Sequence, residues 1–188
     1  MDLKEAITSR KSTKRFDGKS ADWKKIIQAI DVARHAPMAG NMNVTNFIIV
    51  ENKDNISKIA GATQQKFVGD AGALIVVVSA REKLRKMFDA NDKGFAQQQS
   101  GALIQNLLLT LTEKKIDSCW VGFFDDDIVK DVLGIPKNED VEAVIAVGAA
   151  AKIRQEKKKK PELENIVYFE KFGTRKKSKD IVVRHDWA

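Results

Sequence analysis

Hydrophobic residues recur along this chain at two spacings, and each spacing predicts a different kind of element. In residues 23–30 the apolar side chains stand three or four positions apart, and a broader stripe of the same period runs from Leu103 to Leu111. These two segments therefore predict amphipathic helices. Residues 73–79 are apolar on both alternating faces, which is the pattern of a strand buried in the middle of a sheet.

Shorter patterns and turn residues predict the remaining elements. Ser20 is predicted to cap a helix that has Asp22 in its first turn and ends before Pro37. Helices are predicted over residues 2–10, 20–36, 52–62, 92–114, 125–133 and 162–171. Strands are predicted over residues 46–51, 73–79, 118–122, 143–147 and 181–183. Four or five strands among helices of very different lengths indicate an α+β fold, with helices on both faces of one sheet.

The last predicted strand, Ile181–Val183, has no partner nearby in the sequence. A short strand is not stable alone, so this segment must join the main sheet or the sheet of a second chain. Because the chain has 188 residues, we expect one domain that spans residues 1–188.

Composition narrows the class of protein. With 43% hydrophobic and 31% charged residues, the chain is typical of a globular protein. The longest apolar run, Ala73–Val78, is far shorter than the roughly 20 residues of a membrane-spanning helix. No secretory signal follows Met1, so a cytoplasmic protein without membrane association is expected. One cysteine, Cys119, excludes an internal disulfide and a site with several thiolate ligands.

The positive charge is concentrated at the two ends of the chain. Residues 1–19 contain six basic and three acidic side chains, and residues 152–188 contain twelve and six. Three explanations fit: a solvated basic tail, a patch that binds nucleic acid, or two ends that converge on one small anion such as a phosphate. The charge alone does not decide among them.

Several familiar catalytic and binding motifs are absent. The eleven glycines form neither a dinucleotide-binding Gly-x-Gly-x-x-Gly nor a phosphate-binding loop, and there is no Gly-x-Ser-x-Gly nucleophile elbow. The acidic run Asp125–Asp127 stands at the start of a predicted helix, so helix capping is favoured over metal binding. No metal site is expected.

The segment from Arg10 to Phe16 carries the strongest chemical signal. It places four cations and two hydroxyl groups within seven residues, directly after a predicted helix. Arginine, lysine and serine together suit an anion with several oxygens. An exposed basic turn is an equally good explanation of this segment taken alone.

Residues 10–16, with the pattern Arg-Lys-Ser-x-Lys-x-Phe, resemble the opening motif of the flavin-dependent nitroreductase family. The resemblance continues in order along almost the whole chain, through segments of similar type and spacing: Ala36-Pro37-Met38-Ala39-Gly40-Asn41-Met42-Asn43, Ser118-Cys119-Trp120-Val121-Gly122-Phe123, Leu133-Gly134-Ile135-Pro136, and the basic run Lys157–Lys160 followed by residues 161–167. Each segment is weak evidence alone, but together they identify the family.

The resemblance implies a three-layer α-β-α fold of the α+β class. It includes a mixed, mostly antiparallel sheet of four or five strands, and a homodimer in which the C-terminal strand is exchanged. It also implies FMN in a cleft between the subunits. Both basic ends would then hold the FMN phosphate, through Arg10, Lys11, Ser12, Lys14, Lys157, Lys159 and Lys160.

The same resemblance assigns residues to the rest of the flavin. The partner subunit would supply the loop with Pro37, Met38, Ala39, Asn41 and Asn43. The backbone of Val121, Gly122 and Phe123 would lie along the ring, with its N–H groups near N5. Gln65 or Lys66 would reach the pyrimidine edge. Trp120 and Cys119 are expected to be buried side chains without a chemical role.

These features imply an enzyme that takes hydride from NADH or NADPH through FMN and reduces a nitro, quinone or similar small-molecule acceptor. No catalytic side chain is expected. Met38 and Asn43 depart from the serine and glutamine usual in the family, so other flavin chemistry stays open: dehalogenation, flavin destruction or a biosynthetic dehydrogenation. A basic protein that binds nucleic acid is the third alternative, but the basic segments hold few aromatic residues for base stacking, so no nucleic-acid partner is expected.

Overall fold

Six α-helices and four strands make up the regular structure of residues 1–151 and 160–175, the parts of the chain that the computed structural model describes. All ten lie in a first compact unit, residues 1–153, while residues 154–188 form a second unit. The helices are α1 (Leu3–Ser9), α2 (Trp23–Ala33), α3 (Lys53–Thr63), α4 (Glu82–Phe88), α5 (Asp92–Glu113) and α6 (Asp126–Leu133). The strands are β1 (Thr45–Val50), β2 (Ala73–Ser79), β3 (Asp117–Val121) and β4 (Asp140–Gly148).

The four strands form one sheet in the order β1-β2-β4-β3. Every strand pair within the described residues is antiparallel. Thr45 of β1 stands opposite Ser79, and Val121 of β3 stands opposite Val144. Strands β2 and β4 are therefore central, as their apolar sequences predict, and β1 and β3 are the edges.

The alternation of side chains along β2 divides the core into two layers. Leu74 and Val76 face the layer that contains α3 and α6, whereas Ile75 and Val77 face α2 and α5. All seven residues of β2 are buried, because helices cover both of its faces. The predicted α+β fold with an α-β-α arrangement is confirmed.

Polar side chains set where the helices begin. Asp22 accepts a hydrogen bond from the Lys24 N–H and caps α2, so the prediction of Ser20 as the cap is wrong. Asp125 accepts from the Ile128 N–H at 3.2 Å and caps α6, which confirms the capping role expected of the acidic run. Gly134 ends α6 in the left-handed region, at φ 66°.

Two further predictions differ from the structure. Helix α4 was not predicted; its seven residues bury only Leu84, which is too little to produce a periodic signal. Residues 162–171 form only one short turn, Leu163–Asn165, instead of a helix. Beyond that turn the chain folds back, and the Phe169 N–H donates to the Thr174 carbonyl oxygen at 2.8 Å. The predicted strand Ile181–Val183 lies outside the described residues.

Helices long and apolar enough to cross a membrane do not occur in the described part of the chain.

Charged side chains meet at the end of the sheet where β2 leads into α4. Arg81 pairs with Asp140 and, at 2.6 Å, with Asp92. Nearby, Glu142 accepts a hydrogen bond from the Ser79 hydroxyl. Burial raises the pKa of Glu142 above its ordinary value, and neighbouring Asp140 adds to this rise.

We expect Glu142→Gln to raise the free energy of unfolding at neutral pH, by about 0.5 kcal/mol because the side chain is only half-buried and partly screened. An acid whose pKa is raised by folding favours the folded state only while it is protonated, and this contribution is lost as the pH rises through the folded-state pKa. The gain in the free energy of unfolding should therefore vanish at about pH 4, near the pKa of a glutamate in the unfolded chain. Urea unfolding at both pH values measures it, and an equal gain at both would contradict the explanation.

Candidate functional site

The opening basic segment, residues 10–16, pairs with the edge of β3 at Ser12 and Thr13 and then continues to the residues after β4. Arg10 follows the last turn of α1, and its N–H donates to the Ala6 carbonyl oxygen at 3.1 Å. Ser12 then pairs with Ser118 in parallel, and the Thr13 N–H donates to the Ser118 carbonyl oxygen at 2.9 Å. Backbone pairing therefore holds this segment in an extended form.

Successive side chains of an extended segment point to opposite sides, and that alternation separates its polar groups. Lys11 and Thr13 both contact Asp117: the Lys11 ammonium lies 3.6 Å from Oδ1, and the Thr13 hydroxyl donates to it at 2.9 Å. Within the described residues, the side chains of Arg10 and Ser12 have neither a hydrogen bond nor an ion pair. Arg10 and Ser12 are thus available to a ligand, whereas Lys11 is engaged by a carboxylate.

Lys14 connects this segment with the turn that follows α3. Its ammonium lies 5.9 Å from the centroid of the Phe67 ring, and Phe67 belongs to the short turn Lys66–Val68. Phe67 also packs on Phe16, at 6.4 Å between ring centroids. The structure therefore brings Gln65 and Lys66, which adjoin Phe67, close to the opening basic segment.

The end of β3 offers an open surface beside backbone donors. Val121 is buried, but Gly122 and Phe123 are exposed, Phe123 by 69%. A Cβ atom added at Gly122 would meet only Nε1 of Trp120, at 3.9 Å. The N–H groups of Gly122 and Phe123 have no hydrogen-bond partner in residues 1–151 or 160–175. Two free donors beside an uncovered backbone suit the polar edge of a flat ligand.

These groups share one edge of the sheet within a single chain. From Ser118 to Gly122 the strand advances about 13 Å, at about 3.3 Å per residue. The Asp125 N–H donates to the Ala62 carbonyl oxygen at 3.0 Å, which joins the loop after β3 to the end of α3. Cations thus stand at one end of this edge, and N–H groups without a partner in the described residues stand at the other; the Gln65–Lys66 turn adjoins Phe67, which contacts Lys14 and Phe16.

The loop of residues 37–43 is anchored elsewhere, on α4 and α5. The Ala39 N–H donates to Oε1 of Gln99 at 3.4 Å, and Gly40 packs against the side chains of Met87 and Phe88. Asn43 accepts a hydrogen bond from the Thr45 N–H at 3.0 Å. Among the predicted ligands in this loop, Pro37, Asn41 and Asn43 are exposed, and Met38 and Ala39 are half-buried.

This loop and Gly122 stand at opposite edges of the sheet. The loop leads into β1, and Gly122 follows β3, so three inter-strand spacings of about 4.8 Å separate them, or about 14 Å. A single chain therefore does not bring residues 37–43 onto the surface beside Gly122.

The remaining predicted ligands belong to the closing basic run. Lys157 and Lys159 lie outside the described residues. Lys160 is described, and it is exposed in the second unit.

Sequence reasoning missed two features of this site. Trp120 is 41% exposed, so the prediction that it is buried is wrong. On an edge strand its side chain projects to the face opposite Cys119, which is buried as expected. The anchoring pair Thr13 and Asp117 was also missed, because no local pattern connects residues 104 positions apart. No group of side chains in the described residues could hold a metal ion.

Comparisons with known proteins show which family this chain resembles. The profile of the Nitroreductase family matches residues 7–66 and 57–149. A protein of Archaeoglobus fulgidus, named as a candidate NADH dehydrogenase/NAD(P)H nitroreductase, is 26% identical over 147 residues, which cover 76% of this chain and 82% of the relative.

Solved structures share the fold. A nitroreductase family protein from Clostridium difficile superposes with a TM-score of 0.80 at 25% identity, covering 91% of this chain and 99% of its own. The NADPH:FMN oxidoreductase of Vibrio harveyi has the same TM-score of 0.80 at 17% identity, covering 89% of this chain and 76% of its own. Because the family profile spans most of the sequence and the fold agrees, this chain belongs to the nitroreductase family of oxidoreductases.

Proposed function

We propose that this chain is an FMN-dependent NAD(P)H oxidoreductase that reduces a nitro, quinone or similar small-molecule acceptor. The observation that carries the proposal lies at one edge of the sheet: in the described residues the side chains of Arg10 and Ser12 have no polar partner, and neither do the N–H groups of Gly122 and Phe123. When bound, FMN would accept hydride from NADH or NADPH at N5 and pass the electrons to the acceptor. The fold shared with an NADPH:FMN oxidoreductase supports this choice of cofactor.

At the phosphate end, Arg10, Ser12 and Lys14 are the proposed ligands. Because side chains alternate along an extended segment, all three would lie on the side away from Asp117, and Arg10 and Ser12 have no other polar partner in the described residues. Lys11 contributes by its charge alone, since its ammonium pairs with Asp117. Lys157, Lys159 and Lys160 of the closing run stay a prediction from the family resemblance.

At the ring end, the backbone of Val121, Gly122 and Phe123 would orient the flavin. Because neither N–H group has a partner in the described residues, one of them can donate to N5 without breaking a hydrogen bond there. Gln65 and Lys66, next to Phe67, would meet the pyrimidine edge.

A homodimer is part of the proposal. The loop with Pro37, Met38, Ala39, Asn41 and Asn43 lies about 14 Å across the sheet from Gly122. A second subunit would bring its own copy of this loop onto the flavin, and exchange of the C-terminal segment would hold the two subunits together. Light scattering that shows an FMN-loaded monomer would contradict this arrangement.

The visible spectrum of the purified protein tests the function. We expect a bound yellow chromophore, or its uptake when apoprotein is titrated with FMN, and loss of the flavin absorbance when NADPH or NADH is added without oxygen. A panel of nitro compounds, quinones and halogenated substrates then separates the proposed acceptors from other flavin chemistry. A colourless protein that takes up no FMN would refute the proposal.

A further inference from the structure

We propose that Asp117 is a positioning residue for the phosphate-binding segment. The inference rests on the proposed FMN site, and it adds a residue that does not itself touch the cofactor. Asp117 fastens residues 11–13 to the sheet, and this orients Arg10, Ser12 and Lys14 toward a single anion.

The contacts of Asp117 connect three parts of the chain. Its Oδ1 accepts from the Thr13 hydroxyl at 2.9 Å and pairs with the Lys11 ammonium at 3.6 Å. Its Oδ2 accepts from the Ala150 N–H at 3.1 Å. The carboxylate begins β3, so one side chain joins the opening segment, the edge strand and the residues after β4.

Backbone hydrogen bonds hold the opening segment at Thr13 and at the residues that follow it. Thr13 is completely buried, and its N–H bonds to the Ser118 carbonyl oxygen at 2.9 Å. Further along, the Asp17 N–H bonds to the Ala149 carbonyl oxygen and the Ala151 N–H to the Arg15 carbonyl oxygen, both at 3.0 Å. With its neighbour Thr13 turned inward to Asp117, Ser12 presents its hydroxyl outward.

Charge supports the same role. A carboxylate that faced the phosphate would repel it, but Asp117 lies behind the segment and is paired with Lys11. Lys11 thereby offsets the negative charge of Asp117, which reduces its repulsion of the phosphate. Pre-organised ligands lose less entropy on binding, so the expected benefit is affinity for the phosphate group in particular.

FMN and riboflavin differ only in the phosphate, so comparing their binding distinguishes a loss of phosphate positioning from a general loss of stability. Apoprotein is titrated with FMN and with riboflavin, and flavin fluorescence gives both dissociation constants. The variants are Asp117→Asn and the nearly isosteric Thr13→Val, with Thr13→Ser as the matched control that keeps the hydroxyl. Thr13→Val keeps the test valid if Asp117→Asn does not fold.

We expect Asp117→Asn and Thr13→Val to weaken FMN binding about 3- to 10-fold, the value of one or two lost hydrogen bonds, while riboflavin binding stays within about 2-fold. Thr13→Ser should bind both ligands as the wild type does. Equal weakening of both ligands, or wild-type selectivity for FMN that survives in both variants, overturns this inference alone. A wild-type protein that binds neither ligand refutes the proposed function and this inference with it.

Discussion

Replacing Gly122 by alanine is expected to lower the rate of NADPH oxidation about 100-fold and FMN affinity about 10-fold. In the proposed complex the flavin lies directly against this backbone, so an added methyl group displaces the ring, and a displacement of about 1 Å costs about 10²-fold in rate. The free energy of unfolding should hardly change, because the new Cβ would meet only Trp120 Nε1 at 3.9 Å. Steady-state kinetics, FMN titration and urea unfolding measure the three quantities.

Gly61→Ala is the matched control for this substitution. Gly61 lies on the exposed side of α3, and a Cβ there meets no atom within 4 Å. The same chemical change should therefore leave FMN affinity unaltered and raise stability slightly, by about 0.5–1 kcal/mol. If Gly122→Ala retained wild-type FMN affinity and rate, the flavin would not lie against residues 121–123.

The second large effect is expected for Arg10→Ala, which should lower FMN affinity about 10- to 100-fold. A guanidinium makes charge-assisted hydrogen bonds to a phosphate, each contributing about 1.5–3 kcal/mol, and Arg10 has no competing polar partner in the described residues. Titration of the apoprotein with FMN measures the loss. Riboflavin should bind the variant and the wild type alike, since it lacks the phosphate.

Lys11→Ala is the informative comparison, because Lys11 is the adjacent cation in the same basic segment. Its ammonium is 3.6 Å from Asp117 and largely exposed, and exposed ion pairs contribute about 0–1 kcal/mol. Lys11 would act on the phosphate through an exposed charge of the same kind. We therefore expect less than a 5-fold loss of FMN affinity, which corresponds to about 1 kcal/mol. An equal or larger loss than in Arg10→Ala would mean that the segment presents its other side to the phosphate.

The periodic segments of this protein could be predicted because their signals are local. The apolar run at residues 73–79 matches β2, and the predicted helix at 92–114 ends one residue from the observed α5. Both segments are buried enough that the pattern of apolar residues follows the pattern of contact. Helix α4 buries one leucine and leaves no such pattern, which is why it was missed.

Exposure of individual side chains was less predictable. Trp120 was expected to be buried as a large apolar residue in a strand, but β3 is an edge strand, and the side of the sheet that Trp120 faces is left partly open there. A fully apolar strand such as β2 indicates a central position, but the residues of β3 do not specify whether a neighbour covers each of its faces.

The amino-acid sequence by itself determined the strongly periodic elements and the groups capable of binding an anion, because periodicity and composition are local properties, and the order of its motifs indicated the family. Only the tertiary structure decided how those groups are arranged. The strand order puts residues 37–43 and Gly122 at opposite edges of the sheet, and the contact of Thr13 with Asp117 divides the basic segment into an inner and an outer side. Both arrangements result from pairing between segments that are far apart in the chain. Local sequence patterns carry no information about which distant segment becomes the partner.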